Sequence, residues 1–291
     1  MFEFIYNYTY FLYTYKRYKF MKNELGLIEK KNNVGGIPFT YFENRHTGKN
    51  LVLLHGLLDA SFGFRRIIPY LSSEWKIFIP DIPGFGKNKL PKISFLLHLD
   101  IISKMIYEWF RILNLNDVVL VGHSMGGLLS QHIALQDKRE DNRIKKLILL
   151  APGNCPHPKR DEMRSLLFPS NRSEVIRLLH QLYQKDFPDP SPFMQDVLIH
   201  AWSSPTYNIL TYNTIQRENE IFFGNKVKNI QIPTHLIVGE NDKITEISEI
   251  KKMNKWIPNS TMDIIKNAKH AIHLEFPLEV AEHINKKGLE G

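Results

Sequence analysis

Short, unbroken apolar runs at wide intervals constrain this chain more than any other feature of its sequence. LVLL, VVLV and LILL are each four residues long, and stretches with apolar residues at helical spacing separate such runs. Strands buried on both faces have this pattern, because helices cover both sides of a parallel sheet. The predicted strands are Ile37–Phe42, Leu51–Leu54, Lys76–Pro80, Val118–Val121, Lys146–Leu150, Thr234–Val238 and Met262–Ile265. The sequence therefore predicts an α/β fold with a mostly parallel sheet.

The helical periodicity is regular along most of the chain and fails in one long segment. The predicted helices are Leu96–Leu113, Gly126–Gln136, Glu246–Lys255 and Leu278–Lys287. Residues 153–228 instead hold many prolines and only short helical pieces, Glu174–Tyr183 and Phe193–Trp202. This segment is too long for a loop. We therefore expect a helical lid at 153–228, inserted into a core of residues 23–152 and 229–291.

The composition excludes several classes of protein. Of 291 residues, 43% are hydrophobic and 23% are charged, as in globular proteins and unlike disordered or coiled-coil chains. A single cysteine, Cys155, excludes an intrachain disulfide and a cysteine-rich metal site, and it favours a reducing, cytoplasmic location. The net charge of +8 comes from scattered lysines, so no nucleic-acid partner is expected. No run approaches the roughly 18 apolar residues that a membrane span needs.

The first 22 residues are an aromatic-rich extension whose role the sequence leaves open. Ten aromatic residues lie between Met1 and Phe20, and the basic residues Lys16, Arg17 and Lys19 come at the far end. A secretory signal has the opposite order, with positive charge first. Three interpretations remain: a strand, because aromatic residues alternate; a segment at a membrane interface; or a folded domain that starts only near Met21.

A G-x-S-x-G motif carries the chemistry of the chain. Residues 118–127, VVLVGHSMGG, run through this motif from a predicted strand into a predicted helix. Gly122 and Gly126 permit a sharp turn without Cβ clashes, so the Ser124 hydroxyl projects from the sheet edge. A serine in such a turn is a helix cap in many unrelated proteins. The strand–turn–helix context favours a nucleophile at Ser124.

A serine nucleophile needs a base and an orienting carboxylate, and both residue types follow predicted strands late in the chain. Asp242 lies in a polar turn after the strand HLIV, and His270 and His273 follow the strand MDII. Functional groups of such sheets gather at the carboxyl ends of the strands. We therefore expect Ser124, Asp242 and one of the two histidines to converge.

Five local signatures together resemble the α/β-hydrolase superfamily, in its lidded branch of carboxylesterases, lipases, carbon–carbon bond hydrolases and cofactor-free haloperoxidases. They occur in family order as LVLLHGLLDA, IPDIPGFGKN, VGHSMGG, VGENDKI and AKHAIHLEFP. The resemblance extends from about Gly36 to Lys287 and is weakest in the lid. It implies an α/β-hydrolase fold, with a mostly parallel central sheet, helices on both faces and an inserted helical lid. It also implies a serine carboxylesterase or lipase-like activity.

The resemblance distinguishes the two histidines. In the family pattern the catalytic histidine begins an H-x-x-H-x-E-x-P stretch, which here starts at His270. His270 is therefore the expected base, and His273 is expected to be structural. Asp242 is the aligned acid, with Glu240 and Glu246 as alternatives.

The same resemblance implies an oxyanion hole of two backbone N–H donors. One is expected from Met125, which follows the nucleophile. The other is expected from Leu57, which follows the H-G turn that begins at His55. For His55, Asp81 and His123 we expect structural roles, as groups that brace the turns around the site.

These residues predict a serine hydrolase that cleaves a carboxylic ester through an acyl-enzyme, with the triad Ser124, Asp242 and His270. The expected partner is a small-molecule ester or acyl substrate. No metal or organic cofactor is required. A serine at the elbow excludes the family branches with an aspartate nucleophile, namely epoxide hydrolases and haloalkane dehalogenases.

Three alternatives to a simple ester hydrolase stay open. The first is carbon–carbon bond hydrolysis of a ring-fission dienoate. The second is ester hydrolysis on an acyl carrier protein, because basic lid residues would meet an acidic carrier; these residues are Lys159, Arg160, Arg164, Arg172 and Arg177. The third is a ligand-binding protein of this fold without catalysis, although such members usually lack a triad residue.

Overall fold

Eight strands form a single sheet in the computed structural model. The structure describes residues 2–155, 159–184 and 188–290, and within these ranges it describes all side chains except those of Arg160, Arg164 and Ile215. The strands are β1 (Ile28–Val34), β2 (Ile37–Glu43), β3 (Lys49–Leu54), β4 (Trp75–Pro80), β5 (Val118–His123), β6 (Ile144–Leu150), β7 (Thr234–Gly239) and β8 (Ser260–Ile265). Their order is β1-β2-β4-β3-β5-β6-β7-β8. β2 runs antiparallel to β1 and β4, and all later pairs are parallel. The predicted α/β class with a mostly parallel sheet is confirmed.

The strand β1 was not among the seven that the sequence predicts. Its sequence, IEKKNNV, is mostly polar, and it lies at the edge of the sheet. It joins β2 through a turn in which Gly35 and Gly36 have φ of 58° and 87°, a conformation that favours glycine. An edge strand needs no unbroken apolar run, so hydrophobic periodicity gives no signal for it.

Helices cover both faces of the sheet, as expected. In chain order they are α1 (Phe2–Asn23), α2 (Leu99–Ile112), α3 (Met125–Asp137), α4 (Arg160–Leu167), α5 (Arg172–Leu182), α6 (Pro192–Trp202), α7 (Pro205–Gln216), α8 (Glu218–Ile221), α9 (Ile247–Trp256), α10 (Ile272–Glu275) and α11 (Pro277–Leu289). One core lies beneath α2, α3 and α9 and includes Trp109. The other lies beneath α11 and the end of α1 and includes Trp75.

The helices α4 to α8 lie between β6 and β7, in the segment where the sequence predicts an insertion. Part of this segment forms a small hydrophobic cluster, in which Val175 and Leu178 of α5 meet Leu198 and Trp202 of α6. Ile244, which follows β7, completes this cluster. The two predicted helical pieces correspond to α5 and α6. The sequence did not predict α4, α7 and α8. Prolines interrupt the segment, and the runs between them are too short to show a clear helical periodicity.

The aromatic N-terminal segment is a helix, so its interpretation as a strand is wrong. The alternation of aromatic residues does not indicate a strand here. The side chains that pack against the rest of the protein recur every three or four positions, as in a helix. Tyr18 stacks on Phe42 with ring centroids 5.5 Å apart, and Met21 is buried beside it in the same core. Further back, Tyr6 lies 5.9 Å from the ring of Phe193. The folded structure thus extends well before Met21, where the third interpretation placed its start.

The packing of α1 predicts a difference between two neighbouring truncations. Met21→Ala should lower the free energy of unfolding by about 2–5 kcal/mol, because a side chain with 0% exposure leaves a cavity. Phe20→Ala should cost about 1 kcal/mol or less, because that ring is 43% exposed. Chemical denaturation followed by circular dichroism measures both values. Equal losses would contradict the burial of the end of α1.

Candidate active site

Ser124 lies on the sharp turn that the G-x-S-x-G motif predicts. It connects β5 to α3 with φ of 53° and ψ of −115°, an unusual conformation for a residue with a side chain. A Cβ at Gly122 would overlap the carbonyl oxygen of Gly126, and a Cβ at Gly126 would overlap that of Leu54. The turn is therefore possible only because both positions are glycine.

Asp242 and His270 come together as a buried pair. Asp242 follows β7, His270 follows β8, and Nδ1 of the histidine lies 2.9 Å from Oδ2 of the carboxylate. Burial by itself would raise the pKa of Asp242. The charge and hydrogen bond of His270, with hydrogen bonds from the Thr245 backbone and hydroxyl, outweigh burial and hold that pKa below its usual range. Asp242 thus stays ionised although it is buried.

This hydrogen bond sets the protonation pattern of the imidazole. An ionised carboxylate only accepts hydrogen bonds, so Nδ1 of His270 carries the proton. Nε2 then presents a lone pair, as a general base requires. The alternative acids are placed differently: Glu240 accepts from the Asn267 backbone N–H at 3.1 Å, and Glu246 accepts from the Ser248 hydroxyl at 3.4 Å.

The turn after β3 lies directly against the Ser124 elbow. A Cβ at Gly56 would be 3.3 Å from Cβ of Ser124, which shows how closely the two backbones approach. In the described part of the chain, the N–H groups of Leu57 and Met125 donate no backbone hydrogen bond. Both groups are therefore available near Ser124, as an oxyanion hole requires.

His55 braces this turn. Its Nε2 accepts from the Ile82 N–H at 2.9 Å, so Nδ1 carries the proton and donates to the Gly56 carbonyl at 2.8 Å. The ring is buried and spans two loops. Both nitrogens are committed to backbone groups, which agrees with the expected structural role.

Asp81 joins three segments around the site. Its carboxylate accepts hydrogen bonds from the Ser61 N–H at 2.7 Å, the Lys87 N–H at 2.8 Å and the Tyr18 hydroxyl at 2.7 Å. The group is fully buried. This arrangement agrees with the expected structural role and also connects α1 to the core.

Two further histidines pack beside His270. Nε2–H of His123 donates to the His270 carbonyl at 3.1 Å, and the ring of His273 lies 4.3 Å from that of His123. Burial lowers the pKa of His123 to about 3 and lowers that of His273 well below its ordinary value. Both rings are therefore neutral at physiological pH. His273 has no contact with Asp242 like that of His270, so the geometry favours His270 as the base.

Ser124 and His270 are close in the fold but are not hydrogen-bonded. Among the described residues no such bond joins the Ser124 hydroxyl to Nε2 of His270. The two are linked through His123, which precedes Ser124 in the chain and whose ring centroid is 5.0 Å from that of His270. Catalytic hydrogen bonds commonly shorten only when substrate binds.

Two cavities adjoin these residues. The smaller, of about 220 Å³, includes both Leu57 and Met125, and most of its wall is apolar: Leu128, Leu167, Phe168, Leu210, Phe222 and Ile244. The larger, of about 720 Å³, includes Leu57 and His270, and Tyr10, Tyr13 and Arg17 of α1 form part of its wall. Leu57 and Leu167 border both cavities, so the two cavities are neighbours.

Known proteins share this architecture. The alpha/beta hydrolase fold family matches residues 49–189. A solved membrane phospholipase A, described as a bacterial virulence factor, superposes with a TM-score of 0.81 at 19% identity, covering 95% of this chain and 90% of that one. This chain has the α/β-hydrolase fold.

Curated relatives of this α/β-hydrolase are hydrolases. YugF of Bacillus subtilis, an uncharacterized hydrolase, is 25% identical over 274 residues, which cover 88% of this chain and 96% of the relative. The 2-hydroxy-6-oxo-6-(2'-aminophenyl)hexa-2,4-dienoic acid hydrolase of Metapseudomonas resinovorans is 22% identical over 268 residues, with coverage of 89% and 90%. The protein is therefore a hydrolase of this fold.

Some residues of the site are absent from the sequence-based prediction. Thr245 supports Asp242 through its N–H at 3.0 Å and its hydroxyl at 2.8 Å. An Asp followed three residues later by Thr is a recognisable local hydrogen-bonding pattern and was available as a signal. Tyr10, Tyr13 and Arg17 share a helical spacing that predicts one common face, but only packing shows that this face meets a cavity.

A separate cluster has the residue types of a metal site. His235, Asp263 and His283 place their ligand atoms within 4.8 Å of one another. Both histidines lie 3.1 Å from the same Asp263 oxygen, so the carboxylate already has two partners. His235 is the second residue of β7, whereas Asp242 follows the end of that strand. The cluster therefore lies at the opposite end of β7 from the candidate active site.

The buried histidines predict how stability depends on pH. Unfolded histidines protonate near pH 6.5, whereas His123 and His273 remain neutral when folded, so the unfolded state binds more protons below that pH. The free energy of unfolding should therefore fall as pH decreases from 6.5, by about 1.4 kcal/mol per pH unit for each histidine once the unfolded form is protonated. Urea denaturation between pH 7.5 and 4.5 measures the slope.

A variant isolates the contribution of one ring. His273→Phe keeps a ring of similar size against Phe64, whose centroid is 5.3 Å away, and removes one titrating group. The slope should decrease by about one proton, or about 1.4 kcal/mol per pH unit. A slope equal to that of the parent would contradict a neutral, buried His273.

Proposed function

We propose that this α/β-hydrolase cleaves carboxylic esters through an acyl-enzyme on Ser124, with His270 as general base and Asp242 as its orienting carboxylate. The observation that carries the proposal is the buried 2.9 Å hydrogen bond between Asp242 and His270, beside an elbow that holds Ser124 at a φ of 53°. A hydroxyl, a carboxylate and an imidazole in this chain order constitute the triad of this fold.

The proposed reaction begins with proton transfer. Nε2 of His270 takes the Ser124 hydroxyl proton while Oγ attacks the ester carbonyl carbon, and the negative charge moves to the carbonyl oxygen. The N–H groups of Leu57 and Met125 donate to that oxygen. The imidazolium then protonates the leaving alkoxide, which departs as an alcohol. Water repeats these steps on the acyl-enzyme and releases the acid.

Asp242 contributes by its charge and its orientation. It holds Nδ1–H of His270, so Nε2 faces the serine, and it stabilises the imidazolium that forms in each step. Its lowered pKa keeps it ionised throughout. Hydrogen bonds from the Ile244 and Thr245 N–H groups, at 2.8 and 3.0 Å, fix the carboxylate plane. The carboxylate remains ionised and does not itself take up the proton.

Residues 153–228 are proposed to form the lid over a core of residues 23–152 and 229–291. The hydrophobic cluster of α5 and α6, in which Ile244 is the one buried residue from outside this segment, supports this division. The lid is tied to the histidine loop, because the Ala271 N–H donates to the Leu182 carbonyl at 2.9 Å. In this proposal the apolar cavity of about 220 Å³ holds the acyl chain, and the larger cavity holds the alcohol portion.

Carbon–carbon bond hydrolysis is the second candidate, because one relative is a dienoic acid hydrolase and the larger cavity contains cations. Arg17, Arg65, Arg66 and Lys269 border that cavity and offer partners for an anionic dienoate. The two candidates are separated by measuring kcat/KM of the same enzyme preparation for a ring-fission dienoate and for a neutral p-nitrophenyl ester. A higher value for the dienoate would favour carbon–carbon bond hydrolysis, and a higher value for the ester would favour ester hydrolysis.

An acyl carrier protein is a weaker candidate partner. Arg172 forms two hydrogen bonds with Asp196, at 2.6 and 2.7 Å, and Arg177 donates to the Ser165 hydroxyl at 2.9 Å. The side chains of Arg160 and Arg164 lie outside the described residues. Cations that already have partners within the lid have less to gain from an acidic carrier. The non-catalytic alternative is weaker still, because all three triad residues are present.

The nucleophile is tested with a serine-directed fluorescent fluorophosphonate. The parent should be labelled, and Ser124→Ala should not be, with ester turnover reduced by about 10⁶-fold. Ser130→Ala is the matched control, because Ser130 lies in the following helix and its hydroxyl is bonded to the Gly126 carbonyl at 2.7 Å. Labelling of folded Ser124→Ala, or none of the folded parent, would contradict the proposal.

The acyl pocket is tested by two equivalent substitutions. Leu210→Phe fills the smaller cavity and should lower kcat/KM for a p-nitrophenyl octanoate by about tenfold relative to the butanoate. Leu198→Phe enlarges a side chain of the larger cavity and should leave this ratio unchanged. Both leucines are buried, so their general effects on packing are comparable. The reverse result would place the acyl chain in the larger cavity.

A further inference from the structure

The helix α1 presents aromatic side chains on two opposite faces. Its inner face contacts the protein through Tyr6, Tyr10, Tyr13, Arg17 and Met21, at intervals of three or four residues. The Tyr6 ring lies 5.9 Å from Phe193 of α6, so the helix lies across the proposed lid. The side chains of this inner face thus have partners within the protein. The aromatic side chains of the opposite face do not pack against the protein in this way.

The outer face is a stripe of exposed aromatic rings. Phe4, Tyr8, Phe11 and Tyr15 follow one another at helical spacing, and Phe4 and Phe11 are 74% and 56% exposed. The rings stack in pairs, with centroids 6.3 Å apart for Phe4 and Tyr8 and 5.9 Å apart for Phe11 and Tyr15. Further exposed apolar side chains of the same helix are Phe2, Ile5, Leu12 and Phe20. A continuous patch of this kind marks an interaction surface.

The charges of α1 indicate what meets this surface. Lys19 continues the aromatic stripe at its C-terminal end, and Lys16 lies beside it. Lys22 follows on the same line and also pairs with Glu29 at 3.4 Å. Glu3 is the only acidic residue in the sequence of the helix. Aromatic rings next to lysines are typical of helices that lie in the headgroup region of anionic membranes. In the described part of the chain, no helix has the length and apolarity needed to cross a bilayer.

We propose that the outer face of α1 docks the protein on an anionic phospholipid surface, from which the site takes acyl esters. The second part rests on the proposed function. Tyr10, Tyr13 and Arg17 on the inner face of the same helix border the cavity that includes His270. One helix thus has lipid on its outer side and the entrance to the site on its inner side.

An anionic lipid surface fits this face better than a second copy of the chain. A parallel contact between two copies would bring the lysines of one helix against those of the other, in a chain whose net charge is already +8. An antiparallel contact would offer these lysines only one acidic residue of the other helix, Glu3. Anionic headgroups instead attract these lysines while the rings enter the interface. The attraction should therefore weaken as salt increases.

The test is cosedimentation of the full chain with vesicles of phosphatidylcholine containing 30% phosphatidylglycerol, compared with vesicles of phosphatidylcholine alone. The parent should bind the anionic vesicles more tightly. Phe4→Ser/Phe11→Ser should weaken this binding by about tenfold or more. Tyr70→Ser/Leu278→Ser removes two apolar side chains that are comparably exposed on other elements and should leave binding unchanged. Lys16→Gln/Lys19→Gln should reduce the preference for anionic vesicles.

Several outcomes would overturn the inference. A folded parent that stays in the supernatant would exclude docking on lipid. So would equal losses for the Phe4/Phe11 pair and the Tyr70/Leu278 pair. A parent that forms dimers through this face and ignores vesicles would assign the surface to a second copy. Size-exclusion chromatography with light scattering detects that case.

The same variants separate docking from catalysis. Ser124→Ala should bind vesicles like the parent, because the elbow is not part of the surface. Phe4→Ser/Phe11→Ser should hydrolyse soluble p-nitrophenyl butanoate at the parental rate and lose the rate increase that the parent shows on an ester lipid in anionic vesicles. Vesicle binding without any ester hydrolysis would refute the proposed function alone. Normal hydrolysis of soluble ester without vesicle binding would refute docking alone.

Discussion

The close approach of β3, β5 and α3 at the elbow is the constraint on which the rest of the site depends. Neither Gly122 nor Gly126 has space for a Cβ, and Ser124 keeps a positive φ between them. Because the backbones touch there, the turn that contains Gly56 lies against Ser124. The proposed site thus depends first on backbone packing and only then on its side chains.

Burial acts differently on the ionisable groups around this point. Asp242 is buried and ionised, because four hydrogen bonds and the neighbouring imidazole compensate for lost water. His123 and His273 are buried and neutral, because nothing comparable stabilises their charged forms. His270 contacts both environments: its ring meets the carboxylate and its carbonyl meets His123. The neutral rings of His123 and His273 therefore pack beside His270 without adding a positive charge there.

The first helix connects the site to the outside of the molecule. The Tyr18 hydroxyl donates to buried Asp81, whose carboxylate also holds the loops at Ser61 and Lys87. These contacts hold the end of α1 against the core, while its earlier turns cross α6. Between these contacts, Tyr10, Tyr13 and Arg17 of the helix form part of the wall of the larger cavity. The proposals for catalysis and for docking therefore share a structural element.

Local patterns in the sequence predict much of this protein. Apolar runs identify seven of the eight strands, glycine spacing identifies the elbow at Ser124, and turns after strands identify Asp242 and a pair of histidines. Tertiary structure decided what depends on distant residues. The residues alone leave His270 and His273 open; the family resemblance favours His270, and in the structure it is His270 that is hydrogen-bonded to Asp242. Pairing with β2 makes the polar segment β1 the edge strand of the sheet. The alternating aromatic residues of the N-terminal segment would also fit a strand. The segment forms a helix because the side chains of one helical face pack against the core and against α6.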